Sequence, residues 1–74
     1  MKYFVTLVYM KADGTFDRST AMYDDFDSAK DGYHQACSTA IHKKDGENYT
    51  YQKSIVFMYD EDGTMKFKDV WKRE

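Results

Sequence analysis

His34 and Cys37 stand three residues apart in "GYHQACSTAIHKK", one turn of a helix. A thiol beside an imidazole is the pairing that makes cysteine a nucleophile. No third polar group stands at a spacing that would orient the imidazole, and no glycine-rich turn offers an oxyanion site. Cys37 therefore reads as a small apolar member of a helix face, with His34 pointing to solvent. Adding His42 gives a set that zinc could use, but Cys37 and His42 are five apart and diverge around a helix. The acidic clusters "DDFD" (24–27) and "DEDG" (60–63) bring calcium to mind. The second fits an EF-hand loop only in part, since Met58 holds its first ligand position and Asp69 its last. A helix cap and a turn explain both clusters, and no cofactor or metal is expected. The remaining chemistry lies in tyrosines and lysines: Tyr3, Tyr9, Tyr49, Tyr51, Lys53, Lys66 and Lys68. Set on a sheet, such residues can stack single-stranded nucleic acid or form a protein interface.

The elements that must position these residues are short. The chain has 74 residues, which predicts one domain spanning 1–74. A chain of this length buries only about 60–65% of its unfolded surface, so its core is marginal. One cysteine precludes an intrachain disulfide, while seven Tyr, five Phe, five Met and one Trp supply large side chains. A net charge of −2 with mixed signs argues against nucleic acid as the partner. No apolar run approaches the ~20 residues of a membrane span. The lone cysteine and the lack of a leader-like segment point to the cytoplasm.

"KYFVTLVYMK" (2–11) is dense in β-branched and aromatic residues and predicts a strand; "TFDRSTAMY" (15–23) predicts a second. Asp13-Gly14 between them is a hairpin signal, because glycine accepts positive φ. A turn with Gly14 as the left-handed residue sets Lys11 opposite Thr15, Met10 opposite Phe16, Val8 opposite Arg18 and Phe4 opposite Met22. Residues 25–44 predict a helix, capped by Asp25 or Asp27 and stopped near Gly46. Phe26, Ala29, Tyr33, Ala36, Cys37, Ala40 and Ile41 form its apolar stripe. Gly32 within it is expected to mark a close approach. "NYTYQKSIVFMYD" (48–60) and "TMKFKDVWK" (64–72) predict two more strands, joined by a second Asp-Gly-Thr turn. The architecture is α+β: a β-β-α-β-β domain with a four-stranded antiparallel sheet and one helix packed on one face.

One helix covers one face of such a sheet, yet both faces read as apolar. Phe4, Val8, Met10, Ile55, Phe57, Phe67 and Trp71 are assigned to the helix side. The opposite face, with Tyr3, Val5, Leu7, Tyr9, Tyr23, Val56, Met58, Lys66 and Lys68, is expected to be bare. A large bare apolar face marks an interaction surface. These nine residues are thus the candidate binding site, and a homodimer is the first expectation.

At "YDDFDSAKDGYHQACSTAI" followed by "YDEDGTMKFKDVW" the chain resembles short uncharacterised proteins carried by phages and mobile elements of Gram-positive gut bacteria. The resemblance covers most of the chain through element order, the small-residue helix and the late Asp-Gly hairpin ending in Trp71. It implies no activity of its own; some small phage proteins block host defence enzymes or sequester nucleotide signals. The reading is of a non-enzymatic binding protein that occludes a protein partner with its sheet face or an edge strand. The alternatives are sequestration of a nucleotide-like ligand at a subunit junction, or single-stranded nucleic-acid binding.

Overall fold

The two Asp-Gly-Thr turns have the same geometry. In the computed structural model, which describes residues 1–45 and 51–72, Gly14 and Gly63 carry φ of 90° and 85°. The Gly14 N–H donates to Lys11 O (2.9 Å) and the Lys11 N–H to Thr15 O (2.8 Å). At the second turn the Gly63 N–H donates to Asp60 O (2.9 Å) and the Asp60 N–H to Thr64 O (3.0 Å). Each turn sets the register of its hairpin. Strand β1 (Tyr3–Lys11) pairs with β2 (Phe16–Tyr23) as the turn demands: Met10 opposite Phe16, Val8 opposite Arg18, Phe4 opposite Met22.

Helix α1 spans Phe26–Asp45, followed by β3 (Tyr51–Asp60) and β4 (Met65–Lys72). The expected helix stop at Gly46 and the strand start at residues 48–50 lie outside the described residues, as do Tyr49 and the side chains of His42 and Tyr51. The fold is the α+β architecture read from the sequence: one antiparallel sheet, ordered β2-β1-β3-β4, with a single helix. The two hairpins join through β1 and β3, which places the most apolar strands in the centre.

The second hairpin does not keep the register its turn begins. Tyr59 faces Met65, but Met58 faces Phe67, so Lys66 is an extra residue in a bulge. From there on, side chains of β4 exchange faces. Phe67 and Trp71 stand with Met58 and Ser54, while Lys68 and Val70 stand with Phe57 and Ile55.

On β1, β2 and β3 the sheet faces are the reverse of the expectation, whereas Phe67 and Trp71 of β4 lie on the helix side and Lys68 on the open side as expected. Helix α1 lies mainly over β1 and β3 and covers the face bearing Tyr3, Val5, Leu7 and Tyr9 of β1. Val5, Leu7, Val56 and Met58, expected to be bare, form the buried core with Ala29, Tyr33 and Ala40. Burying an aliphatic or methionine side chain contributes about 1.5–3 kcal/mol, so these four carry much of the fold. The face with Phe4, Val8, Met10, Ile55 and Phe57 is the open one. The open face takes Arg18, opposite Val8, and Lys68, opposite Phe57, whereas the strand carboxylates Asp17, Asp60 and Asp69 stand on the helix side.

The helix starts as its residues require. Asp25 is the cap, its Oδ1 accepting from the Ser28 N–H at 2.7 Å and its Oδ2 from the Ser28 hydroxyl at 3.0 Å. Ala29 and Ala40 are fully buried, and Gly32 is buried with the ring of Tyr23 against it. Small residues along one stripe let the helix settle close to the sheet. Phe26 closes its start, edge-on to Tyr3 (5.7 Å between ring centres) and tilted on Phe67 (6.2 Å). Ile41, expected on the stripe, is largely exposed.

Candidate functional site

The open face is built from alternate residues of all four strands. Strand β1 contributes Phe4, Thr6, Val8 and Met10; β2 contributes Phe16, Arg18, Thr20 and Met22. Strand β3 adds Lys53, Ile55, Phe57 and Tyr59, and β4 adds Met65, Lys68, Val70 and Lys72. Phe16 (64% exposed), Met22 (60%) and Met65 (55%) protrude near the ends of the edge strands. Along its centre run three aromatic rings. Phe4 stacks on Tyr59 (5.3 Å, 19° between planes), and Tyr59 on Phe57 (5.7 Å, 29°). Beside them Thr6 and Thr20 join hydroxyls at 3.1 Å across β1 and β2.

Charge is sorted by face. The open face carries four cations, Arg18, Lys53, Lys68 and Lys72, and no carboxylate among its strand residues. The strand carboxylates Asp17, Asp60 and Asp69 all lie on the helix side, where each has a partner. Asp17 meets Lys11 (3.8 Å) and Asp60 meets Lys66 (3.7 Å). Asp69 accepts a hydrogen bond from the Tyr33 hydroxyl. The Thr64 and Asp62 backbone N–H groups, with Lys66, hold the Asp60 carboxyl below the usual carboxylate range.

Of the nine residues expected to form the binding site, the structure brings only Lys68 to the open face. Val5, Leu7, Val56 and Met58 lie in the core, and Lys66 sits in the bulge beside Asp60. Tyr3, Tyr9 and Tyr23 pack half-buried against the core. The site's actual residues were visible as one of two apolar sets. Along β2, Arg18 stands on one set and Asp17 on the other, so charge there does not rank them, and the register shift at Lys66 brings Lys68 to the open face.

Beneath the helix, a hollow of about 440 Å³ lies between α1 and β2. Its floor is Val5, Leu7 and Ala21, and Tyr9, Tyr23 and Gln35 stand around it. It lies where β2, between Asp17 and Tyr23, presents only the small side chains of Ser19 and Ala21, whereas β4 presents Phe67 and Trp71. Among the described residues no charged side chain lines it, so they present no counter-charge to a phosphate there.

His34 is exposed and Cys37 half-buried, so the pair does not share a cleft. Burial pushes the Cys37 thiol up, away from the thiolate a nucleophile needs. Among the described residues no helix is long and apolar enough to cross a membrane. No family model, curated protein or solved structure matches the chain.

Proposed function

We propose that this chain is a small non-enzymatic binding module that acts through its open sheet face on a protein partner. The partner's contact surface is apolar with a rim of Asp and Glu. The sorting of charge carries this reading: in a chain of net charge −2, one face gathers four cations around an apolar centre without a strand carboxylate. Complementary potentials steer encounter and select partners, while the apolar centre supplies affinity.

The aromatic row favours protein over nucleic acid. Tyr59 stacks between Phe4 and Phe57, which occupies both faces of its ring and the inner faces of theirs. A base-stacking platform needs those faces free. Val8, Ile55, Val70 and the three protruding side chains suit an aliphatic counterpart.

The test is selection from a random peptide library displayed on particles. The expected winners combine large apolar residues with Asp or Glu. Selection against a variant with Arg18, Lys53 and Lys68 changed to Glu should shift the winners toward Lys and Arg. No enrichment, or winners unaffected by Phe57→Ser, overturns the reading. So does tighter, steeply salt-dependent binding of a labelled single-stranded oligonucleotide.

A further inference from the structure

The sheet has two free edges, and they are not alike. Strand β4 is blunted: it carries Lys66, Lys68 and Lys72 and begins with the bulge at Lys66. Lysines and bulges are the usual devices that keep an edge from pairing. Strand β2 has neither. Its eight residues, "FDRSTAMY", hold no lysine, no proline and no irregularity against β1, and all but Tyr23 are exposed.

The outward-facing backbone groups of β2 follow from the turn. The bond from the Lys11 N–H to Thr15 O makes Lys11–Thr15 a hydrogen-bonded pair. Pairs alternate along an antiparallel ladder, so Asp17, Ser19 and Ala21 bond inward to β1. Phe16, Arg18, Thr20 and Met22 then turn their N–H and C=O groups to the free edge. The Arg18 N–H follows this parity: it donates to the Asp17 carboxylate at 2.8 Å rather than to β1, a bond that pairing exchanges for one to the second copy.

We propose that β2 pairs antiparallel with β2 of a second copy about a two-fold axis at Ser19, making one continuous eight-stranded sheet. The sequence of β2 is self-complementary in that register. Phe16 falls opposite the partner copy's Met22 on the open face, so the two most protruding side chains of the strand cover each other at both ends. Arg18 falls opposite Thr20, and on the helix side Asp17 falls opposite Ala21. The neighbouring registers that keep residues on their own face are worse. A two-fold at Arg18 sets two guanidinium groups against each other, and one at Thr20 leaves Phe16 facing Asp24. Pairing also joins the two hollows beside α1 into one trough floored by Ser19 and Ala21 of both copies. A strand-to-strand contact is at the small end of the interface range, so association is expected to depend on concentration. It draws on Phe16 and Met22 of the open face and leaves the aromatic row of Phe4, Tyr59 and Phe57 uncovered.

Cysteine scanning tests the register. At the two-fold, the Ser19 residues form a non-hydrogen-bonded pair with Cα atoms about 4.5 Å apart, within the span of a disulfide. Under mild oxidation Ser19→Cys should give a covalent dimer, while Asp17→Cys and Ala21→Cys alone should not. A mixture of those two chains should cross-link to each other. Wild type, which retains Cys37, is the control, and circular dichroism checks that each variant folds. In sedimentation velocity the wild type should show a mass rising with concentration, and Phe16→Lys with Met22→Lys should hold it at monomer. A wild type that stays monomeric at high micromolar concentration overturns the proposal. Equal cross-linking at 17, 19 and 21 overturns it as well, as does preferred cross-linking through a cysteine at Phe57.

Discussion

The phenol ring of Tyr23, at the end of β2, occupies the space that a side chain at Gly32 would take. Helix and edge strand are in contact there because the helix lacks a Cβ. A glycine in mid-helix costs about 1 kcal/mol relative to alanine, and here that cost secures the fit of Tyr23. Gly32→Ala should therefore fail to deliver its helix-propensity gain in the wild type, with the ring displaced. In a Tyr23→Ala background the same change should stabilise by about 0.5–1 kcal/mol. Urea unfolding of the four proteins in a double-mutant cycle measures the coupling, and additive effects would show that the ring and the helix do not compete.

Tyr33 links helix and sheet by donating its hydroxyl proton to Asp69. Burial, helped by that bond and by Cys37, pushes the phenol well above its usual range. The unfolded chain releases its tyrosine proton near pH 10, while the folded chain keeps it. Stability is therefore whole below about pH 10 and falls as pH rises above it. Tyr33→Phe should cost about 1 kcal/mol at neutral pH and flatten this alkaline fall. Thermal melts at a series of pH values from neutral upward check it.

Asp60 shows the opposite sign. Its carboxyl, held low by the Thr64 and Asp62 N–H groups, stays ionised in the folded chain at pH values where the unfolded chain takes up a proton. Its contribution is present above about pH 4 and is lost as pH falls further. Asp60→Asn should lower the denaturation midpoint at neutral pH, and the two proteins should converge in acid. Parallel midpoint curves down to strong acid would assign the acid sensitivity elsewhere.

Ser54 is 1% exposed, between Tyr9 and Trp71 in the sheet, and its hydroxyl has no hydrogen-bond partner among the described residues. An unsatisfied buried hydroxyl costs about 1–3 kcal/mol, whereas the methyl of alanine at the same site costs nothing in lost hydration. Ser54→Ala is expected to stabilise by about 1 kcal/mol, against the usual trend for core substitutions. A lowered unfolding midpoint would show that the hydroxyl is satisfied.

Local chemistry was legible in the residues. Gly14 and Gly63 sit at positive φ because each Asp-Gly-Thr turn needs it, and the first turn sets Met10 against Phe16 and Phe4 against Met22. Asp25 caps the helix, and Ala29, Gly32 and Ala40 form the stripe that lets it lie close. The mismatch between one helix and a sheet apolar on both sides was equally legible, because a helix is too narrow to cover two faces.

Which face stays open was decided by the tertiary structure. Alternation along a strand yields two apolar sets, and their hydrophobicity alone does not rank them. A single extra residue at Lys66 moves Phe67 and Trp71 beneath the helix and Lys68 away from it. In the shifted register Asp69 and Phe67 meet Tyr33 of α1, the one accepting its hydroxyl proton and the other against its ring. The strand order β2-β1-β3-β4 likewise rests on pairing β1 with β3, residues forty or more apart in the chain, which no neighbouring residues encode. Periodicity specifies that a strand has two sides; only burial against the rest of the chain specifies which side meets water.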